Sequence, residues 1–221
     1  MSAATPFRRP PTAQEAVLGE LRRAILEGDF RPGSQILQDN IAERLGVSRV
    51  PVREALKILE GEGQVSYAPR RGYFVAELDY DELAEVYRIR EILEAEAIAV
   101  GIKRIADEDL ERMEEAIGDM ERAAEAQDIV ALTAANRRFH FALMEPCQRP
   151  RLMRMIGQLW DTTDPYRSIY FAHGENRELV QKEHREIVDA ARRRDRAQLV
   201  RLLAVHRKNA MKGLRRVLVQ D

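Results

Sequence analysis

Cysteine and long apolar segments are nearly absent from this chain of 221 residues, and each absence excludes a class of protein. The single cysteine, Cys147, cannot form an internal disulfide, which fits a protein of the reducing cytoplasm. No run approaches the roughly 20 apolar residues of a membrane-spanning helix, so no membrane partner is expected. Residues 1–11 lack the apolar core of a signal peptide and are interpreted as a flexible arm.

An overall basic charge is also missing, because 36 Lys and Arg face 37 Asp and Glu. Residues 1–76 hold 11 basic and 9 acidic residues, residues 77–128 hold 6 and 18, and residues 129–221 hold 19 and 10. Any nucleic-acid binding must therefore come from a local patch rather than from the whole molecule. We expect the acidic and basic blocks to face each other, within one subunit or across a dimer.

The most informative pattern lies in residues 47–57. On a helix, one arc gathers three basic residues and a valine: Arg49, Val50, Arg53 and Lys57. The opposite arc is apolar: Val52, Ala55, Leu56 and Leu59. Ser48 is a good N-cap, and Pro51 falls in the first turn, where its missing N–H costs nothing. One face can be buried while the other carries three cations and no carboxylate.

Two further helices are predicted ahead of this segment. The first opens at Thr12, where Glu15 completes a capping box. The second covers residues 41–46, and Gly46 suits its end. Two helices joined by a tight turn, the second capped and basic, are typical of a helix-turn-helix that reads DNA. The alternative is a basic helix face that is merely solvated.

Two short β-type runs follow, at residues 65–67 and 73–75, and the loop between them holds Arg70, Arg71 and Gly72. This pattern predicts a hairpin whose arginines reach phosphates or the minor groove. Alone, the loop would fit a plain exposed turn equally well. Next to the helix pair, it predicts a winged helix-turn-helix domain of three helices and a β-hairpin wing.

Residues 78–221 show helical periodicity and no convincing strand. The expected helices are 80–104, 107–126, 128–145, 150–171 with a bend at Pro165, 175–194 and 195–218. Three aspartates stand where N-caps would be: Asp107, Asp128 and Asp195. The apolar stripes of these helices can be buried only against one another. An all-α bundle of about six helices should therefore follow the winged domain. We expect the boundary near residues 77–79, giving a mostly α protein with domains 1–77 and 78–221.

Three of the four histidines lie at positions in this bundle from which they could form one metal site. Asn136 and His140 are four residues apart, so they share one helix face. His184 and His206 lie on the last two helices and can reach one level of the interior. Three neutral imidazoles and a short oxygen donor would bind a first-row divalent cation and leave positions open for a ligand. Alternatively, each histidine is an ordinary core or surface residue, since no local zinc-site spacing is present.

Together these features resemble the GntR family of bacterial transcriptional regulators, and within it the FadR subfamily with an FCD effector domain. The resemblance covers about residues 12–218. It is most specific at residues 45–56 and 70–75, while residues 87–94 are similar to the opening helix of the FCD domain.

The resemblance implies a homodimer that binds an operator of inverted symmetry and a small effector, often a carboxylate, held in domain 78–221. The residues expected at the DNA are Ser48, Arg49, Val50, Arg53, Lys57, Arg70, Arg71 and Gly72. The implied ligands of a divalent metal, zinc first with nickel or manganese as alternatives, are Asn136, His140, His184 and His206. Two departures are Asn136, where many relatives carry Asp, and Asp39, where some carry a basic DNA contact.

Arg90 falls on the inward stripe of the first effector-domain helix, where a lone buried cation needs an anion. Two interpretations stand equal: a clamp on an effector carboxylate, and a salt bridge to a neighbouring glutamate. Four other residues could line a pocket, although core packing is expected for each: Trp160, Tyr166, Arg167 and Tyr170.

The sequence thus predicts a ligand-responsive transcriptional repressor and no enzyme. The chief alternative is a metal-dependent hydrolase in a helical bundle, with Glu145, Glu183 or Glu186 as its base; no spacing forces any of them inward. A third interpretation keeps the regulator but leaves the bundle metal-free, as a dimerisation module whose histidines only pack.

Overall fold

A computed structural model describes residues 11–77 and 80–218 of the chain. The chain divides into two compact units, Met1–Ala76 and Glu77–Asp221. Most of the expected arm and most of the expected boundary, residues 1–10 and 78–79, lie outside the described residues. Throughout the described part, no helix combines the length and the apolar character that crossing a bilayer would require.

The N-terminal unit is a three-helix head with a small sheet. Its elements are α1 (Ala13–Glu27), β1 (Gln35–Ile36), α2 (Gln38–Leu45), α3 (Arg49–Gly61), β2 (Val65–Ala68) and β3 (Gly72–Val75). The strands are antiparallel in the order β1-β3-β2, with Tyr73 opposite both Ile36 and Tyr67. The hairpin was predicted, whereas β1 was not, because two residues are too few to show an alternating pattern.

Local chemistry explains where these helices start and stop. The Thr12–Glu15 capping box is present, with the Thr12 N–H donating to Glu15 at 2.7 Å. Gly46 ends α2 in the left-handed conformation, at φ 64°, as the sequence predicted. Ser48 occupies the N-cap position of α3, although its side chain makes no capping hydrogen bond. The entire apolar arc of α3 is 0% exposed: Val52, Ala55, Leu56 and Leu59.

In the C-terminal unit, every described secondary-structure element is an α-helix or a 3-10 turn. Its helices are α4 (Tyr80–Gly101), α5 (Asp107–Glu125), α6 (Ile129–Met144), α7 (Pro150–Phe171), α8 (Gly174–Arg192) and α9 (Arg196–Leu218). Short 3-10 turns follow α4 and α6, at Ile102–Arg104 and Glu145–Cys147. Helix α7 continues through Pro165.

Two of the three predicted aspartate caps are present. Asp128 accepts the Ala131 N–H at 2.8 Å, and Asp195 accepts the Gln198 N–H at 2.9 Å. The prediction for Asp107 was wrong, because α5 already begins there and its cap is the preceding residue, Ala106. Three consecutive acidic residues open α5, and the last of them, Asp109, accepts the N–H of the cap.

Within this unit, some residues of the acidic block 77–128 form ion pairs with residues of the basic block 129–221. Acidic side chains of α5 pair with arginines of α6 and α8: Asp119 with Arg138, Glu121 with Arg185, and Glu114 with Arg192. All three pairs are solvent-exposed, so each contributes little, about 0–1 kcal/mol. They support the expectation that the acidic and basic blocks face each other within one subunit.

The end of α4 lies close to the backbone of the 3-10 turn after α6, which gives the first testable prediction. A Cβ on Gly101 would lie 2.7 Å from the Cys147 nitrogen and 3.1 Å from the Pro146 carbonyl carbon. Since neither backbone atom can move cheaply, we expect Gly101→Ala to lower the free energy of unfolding by about 1–3 kcal/mol in urea.

Gly157→Ala is the matched control on α7. Its Cβ would meet only the far end of the Arg137 side chain, at 3.7 Å. There, removal of a helical glycine should add up to about 1 kcal/mol. Equal stability of the two variants would contradict the close approach at Gly101.

Candidate functional site

The exposed face of α3 carries the residues predicted to meet DNA. Ser48, Arg49, Arg53 and Lys57 are all exposed, and Val50 is 51% exposed among them. Because the other face of the helix is fully buried, this orientation is fixed by the core of the head. The structure thus brings the predicted residues together on one surface.

Arg49 differs from its neighbours because it forms an ion pair with Asp39 on α2. Both side chains are largely exposed, so the pair is weak and open to competition by a phosphate. Within the described residues, no ion pair is formed by Arg53 or Lys57. The acidic residue that departs from the family pattern therefore partly neutralises one predicted DNA contact and leaves the other two cations free.

The wing places two arginines in a tight turn. Arg70 adopts φ 66°, and the Arg71 N–H donates to the Ala68 carbonyl at 3.0 Å, closing the turn. The Arg71 guanidinium lies 5.0 Å from the Phe74 ring centroid, a cation–π contact. Both arginine side chains are exposed, while Gly72 is half-buried where β3 begins. This arrangement presents two cations on the hairpin loop.

In the second unit, three histidines from three helices meet in the interior. His140 of α6, His184 of α8 and His206 of α9 each offer a ring nitrogen, and these atoms lie within 4.8 Å of one another. All three residues are at most 5% exposed. Their ring centroids are 5.0–5.1 Å apart. The structure therefore joins the three histidines in one cluster, as the metal-site hypothesis requires.

Unpaired polar atoms make this cluster fit a metal ion. His140 Nε2, both nitrogens of His184 and His206 Nε2 are buried without a hydrogen-bond partner. Asn136, one turn before His140, is fully buried, and neither its oxygen nor its nitrogen has a partner. Unpaired buried polar groups are costly, and imidazole nitrogens with an amide oxygen suit a divalent transition metal.

The protonation state of the three histidines also favours binding of a metal cation. Burial lowers the pKa of His140 and of His184 well below the ordinary value. Burial also lowers the pKa of His206, against the opposing effect of the Glu183 carboxylate. The rings are therefore neutral near pH 7, which leaves their lone pairs available to a cation.

Glu183 orients one of these rings. Its carboxylate lies 2.6 Å from His206 Nδ1, an arrangement that favours the proton on Nδ1 and leaves the Nε2 lone pair available to a cation. The same carboxylate accepts a hydrogen bond from Asn209. Because these two contacts occupy the Glu183 carboxylate, it is not a free base for a hydrolase. Neither of the other two glutamates considered is suitable, since Glu145 pairs with Arg112 at 2.6 Å and Glu186 is exposed.

Arg90 is buried and ion-paired, as one of its two interpretations required. Its Nε donates to Glu94 at 3.0 Å and its Nη1 donates to Thr163 at 2.8 Å. Glu94 also accepts from Trp160 and Arg207, each at 2.9 Å. Although burial raises the pKa of the Glu94 carboxyl, the two arginines hold it below its ordinary value. Glu94 was not singled out from the sequence, although its position four residues after Arg90 on a helix was a usable signal.

Comparison with known proteins agrees with this architecture. Residues 13–75 match the gntR family of bacterial regulatory proteins, and residues 85–209 match the FCD domain. The HTH-type transcriptional regulator McbR of Escherichia coli is 34% identical over 67% of this chain and 67% of its own length. The HTH-type transcriptional repressor RspR of E. coli is 23% identical over 98% of this chain and 95% of its own length.

A solved structure of E. coli McbR/YncC superposes with a TM-score of 0.82 at 27% identity, covering 94% of this chain and 99% of that one. The family and these relatives are transcriptional regulators rather than enzymes. With a gntR-type helix-turn-helix at one end and an FCD effector-binding domain at the other, the chain belongs to the GntR family of DNA-binding transcriptional regulators.

Proposed function

We propose that this regulator is a repressor of the FadR subfamily that binds a palindromic operator as a homodimer and responds to a small organic acid. The observation that carries the proposal is the two-sided character of α3, with exposed cations opposite a fully buried apolar arc. Two copies related by twofold symmetry would present two such helices to two half-sites of inverted sequence. The name of the relative RspR supports the repressor role. The proposed location is the cytoplasm, where a bacterial operator is accessible.

On each half-site, Arg53 and Lys57 are the cations that bind without first leaving any carboxylate of the described residues. An arginine that forms two hydrogen bonds to guanine contributes about 1–3 kcal/mol of discrimination. Arg49 must first leave Asp39, which reduces its net contribution. Ser48 and Val50 lie beside it, and Arg70, Arg71 and Gly72 of the wing would meet the sugar-phosphate backbone.

In the FCD domain, the proposed ligands of a divalent ion are Asn136, His140, His184 and His206. Zinc is the first candidate, with nickel and manganese as alternatives. A neutral Asn136 leaves the site one negative charge poorer than an aspartate would. When bound, the ion supplies a Lewis-acidic centre that attracts an anionic oxygen of the effector.

An effector alters operator binding only if it binds one arrangement of the protein better than another. The protein's own contribution to that difference is the buried polar centre of Asn136 and the three histidines, in which several nitrogen and oxygen atoms have no hydrogen-bond partner among the described residues. The metal-free alternative, in which the histidines only pack, leaves these same atoms without partners, and this favours the metal site. The hydrolase alternative lacks a free, inward-facing base among the three glutamates considered.

The recognition-helix assignment is tested with Arg53→Ala on the protein's own upstream DNA. We expect operator affinity in fluorescence anisotropy to fall by roughly tenfold or more, because one base-reading arginine is lost. Arg201→Ala is the matched control, since Arg201 is also exposed but lies on α9. Unchanged affinity in Arg53→Ala, or an equal loss in both variants, would contradict the assignment.

The wing is tested through salt dependence. Glycine suits the φ of 66° at position 70, so Arg70→Gly removes a cation without straining the turn. We expect the slope of log affinity against log salt to flatten by about 2 for the homodimer, because one phosphate contact, worth about 0.9, is lost at each of the two half-sites. Arg71→Ala should act similarly. A slope identical to that of the wild type in both variants would mean that the wing does not touch DNA.

The metal site is tested by elemental analysis of the purified chain before and after chelation. His184→Ala should lose the ion, whereas His173→Ala should retain it, because His173 is exposed at the start of α8. Since a ligand at a concentration 100 times its Kd stabilises by about 2.7 kcal/mol, chelation should also lower the melting temperature of the wild type. Wild-type protein that takes up no zinc, nickel or manganese would establish the metal-free alternative.

A further inference from the structure

Among the described residues of the FCD domain, three arginines and two glutamates are buried: Arg90, Arg167, Arg207, Glu94 and Glu183. Arg90 and Arg207 both pair with Glu94, at 3.0 and 2.9 Å. Arg167 of α7 is a third guanidinium and is only 2% exposed. Within the described residues, no carboxylate forms an ion pair with it. The nearby Asp164 interacts with Arg167 electrostatically; its Oδ2 pairs with Arg137 at 2.9 Å, and its Oδ1 is buried without a partner among the described residues.

The hydrogen bonds of Arg167 are also incomplete. Its Nη2 donates to the Tyr87 hydroxyl at 3.1 Å, whereas its Nε and Nη1 are buried without any acceptor. A guanidinium carries five N–H donors, so burial that leaves two of its nitrogen atoms without acceptors is costly. Core packing was the role expected for Arg167 from the sequence. Packing alone leaves both its charge and its donors unpaired.

Arg167 lies beside the histidine cluster. Its guanidinium carbon is 5.0 Å from the centre of the Trp160 ring, and that ring is 5.0 Å from the His140 ring. Arg90 lies over the same indole at 3.9 Å. Trp160 thus contacts both guanidiniums and the His140 ring. Of the two guanidiniums, only that of Arg90 forms an ion pair with a described carboxylate, Glu94.

A metal ion at the histidines would not complete this centre. It would satisfy lone pairs on the imidazoles, whereas the guanidinium N–H groups and the Asn136 amide nitrogen require an acceptor. A bound cation would also add positive charge to an interior already in excess. The missing component is therefore an anion with several acceptor oxygens.

We propose that Arg167 is the anion-binding residue of the FCD domain, holding a carboxylate of a small organic acid beside the histidine cluster, while Arg90 is part of the protein scaffold. This inference rests on the proposed effector-binding role of the domain and specifies its ligand contact. The sequence left Arg90 of α4 with two equal interpretations, an effector clamp or a salt bridge. The proposal assigns the clamp to Arg167 of α7 and the salt bridge to Arg90.

The test uses the full-length protein and the fluorescence of Trp160, the only tryptophan in the chain and a direct neighbour of both guanidiniums. Acetate, malonate, citrate and inorganic phosphate are titrated into the wild type, Arg167→Gln and Arg201→Gln. We expect at least one carboxylate to change the wild-type signal. Its affinity should fall at least roughly 30-fold in Arg167→Gln, which corresponds to about 2 kcal/mol, and stay unchanged in the exposed control Arg201→Gln.

Stability separates a ligand-binding role from a structural one. Without added anions, Arg167→Gln should melt at the same temperature as the wild type or higher, because an unpaired buried charge has been removed. Arg90→Gln should melt lower, because Glu94 loses a donor. If Arg167→Gln fails to fold, Arg167→Lys retains the charge with fewer donors and should bind the same carboxylate more weakly than the wild type.

The inference is overturned if none of the four anions affects the wild type, or if the Arg167 variants bind the active anion normally. It is also overturned if Arg167→Gln is destabilised with no loss of anion affinity, since that marks a packing role with buried water as the acceptor. Metal content and operator binding without ligand should match the wild type in Arg167→Gln. Failure at Arg167 would therefore leave the DNA-binding and metal-binding results standing.

Discussion

The buried carboxylate of Glu94 is the interaction on which the interior of the FCD domain depends. It accepts hydrogen bonds from Arg90 on its own helix, Trp160 on α7 and Arg207 on α9, so one negative charge joins three helices. Breaking such a buried network by removing one partner typically costs about 3–5 kcal/mol. By holding the Trp160 indole, the carboxylate also fixes the surface against which Arg167 and His140 lie.

The two units use charge in opposite ways. In the head, the cations of α3 and the wing are exposed, and a mainly apolar core holds them in place. Exposed charges act over a Debye length of about 8 Å at physiological salt and exchange partners easily, which suits binding to a phosphate backbone. In the FCD domain, the charged and polar groups around Trp160 and the histidines are buried, where unpaired atoms are costly and a ligand must match them closely. Affinity for a polyanion and selectivity for a small ligand therefore arise from different physical environments.

Sequence patterns predicted the features that depend on near neighbours in the chain. The two faces of α3 follow from helical periodicity, and the end of α2 follows from Gly46. Errors came where local signals compete or are too short. Asp107 was chosen as a cap although Asp109 also offered a carboxylate to the start of α5, and β1 has only two residues. Asp39 was recognised as unusual, but its pairing with Arg49 required the packing of α2 against α3.

By itself, the sequence determined the helical periodicity, the basic recognition face and the residue types available for a metal site, because each is a property of spacing and side-chain chemistry. Only the tertiary structure decided which buried cation has a partner. Arg90 and Arg167 are both arginines on apolar helix faces, and each has an acidic residue one helical turn away, Glu94 and Asp164, so the local sequence does not show which guanidinium is neutralised. That difference depends on whether a carboxylate from the same or another helix lies within about 3 Å, and such distances are set by the packing of the whole bundle.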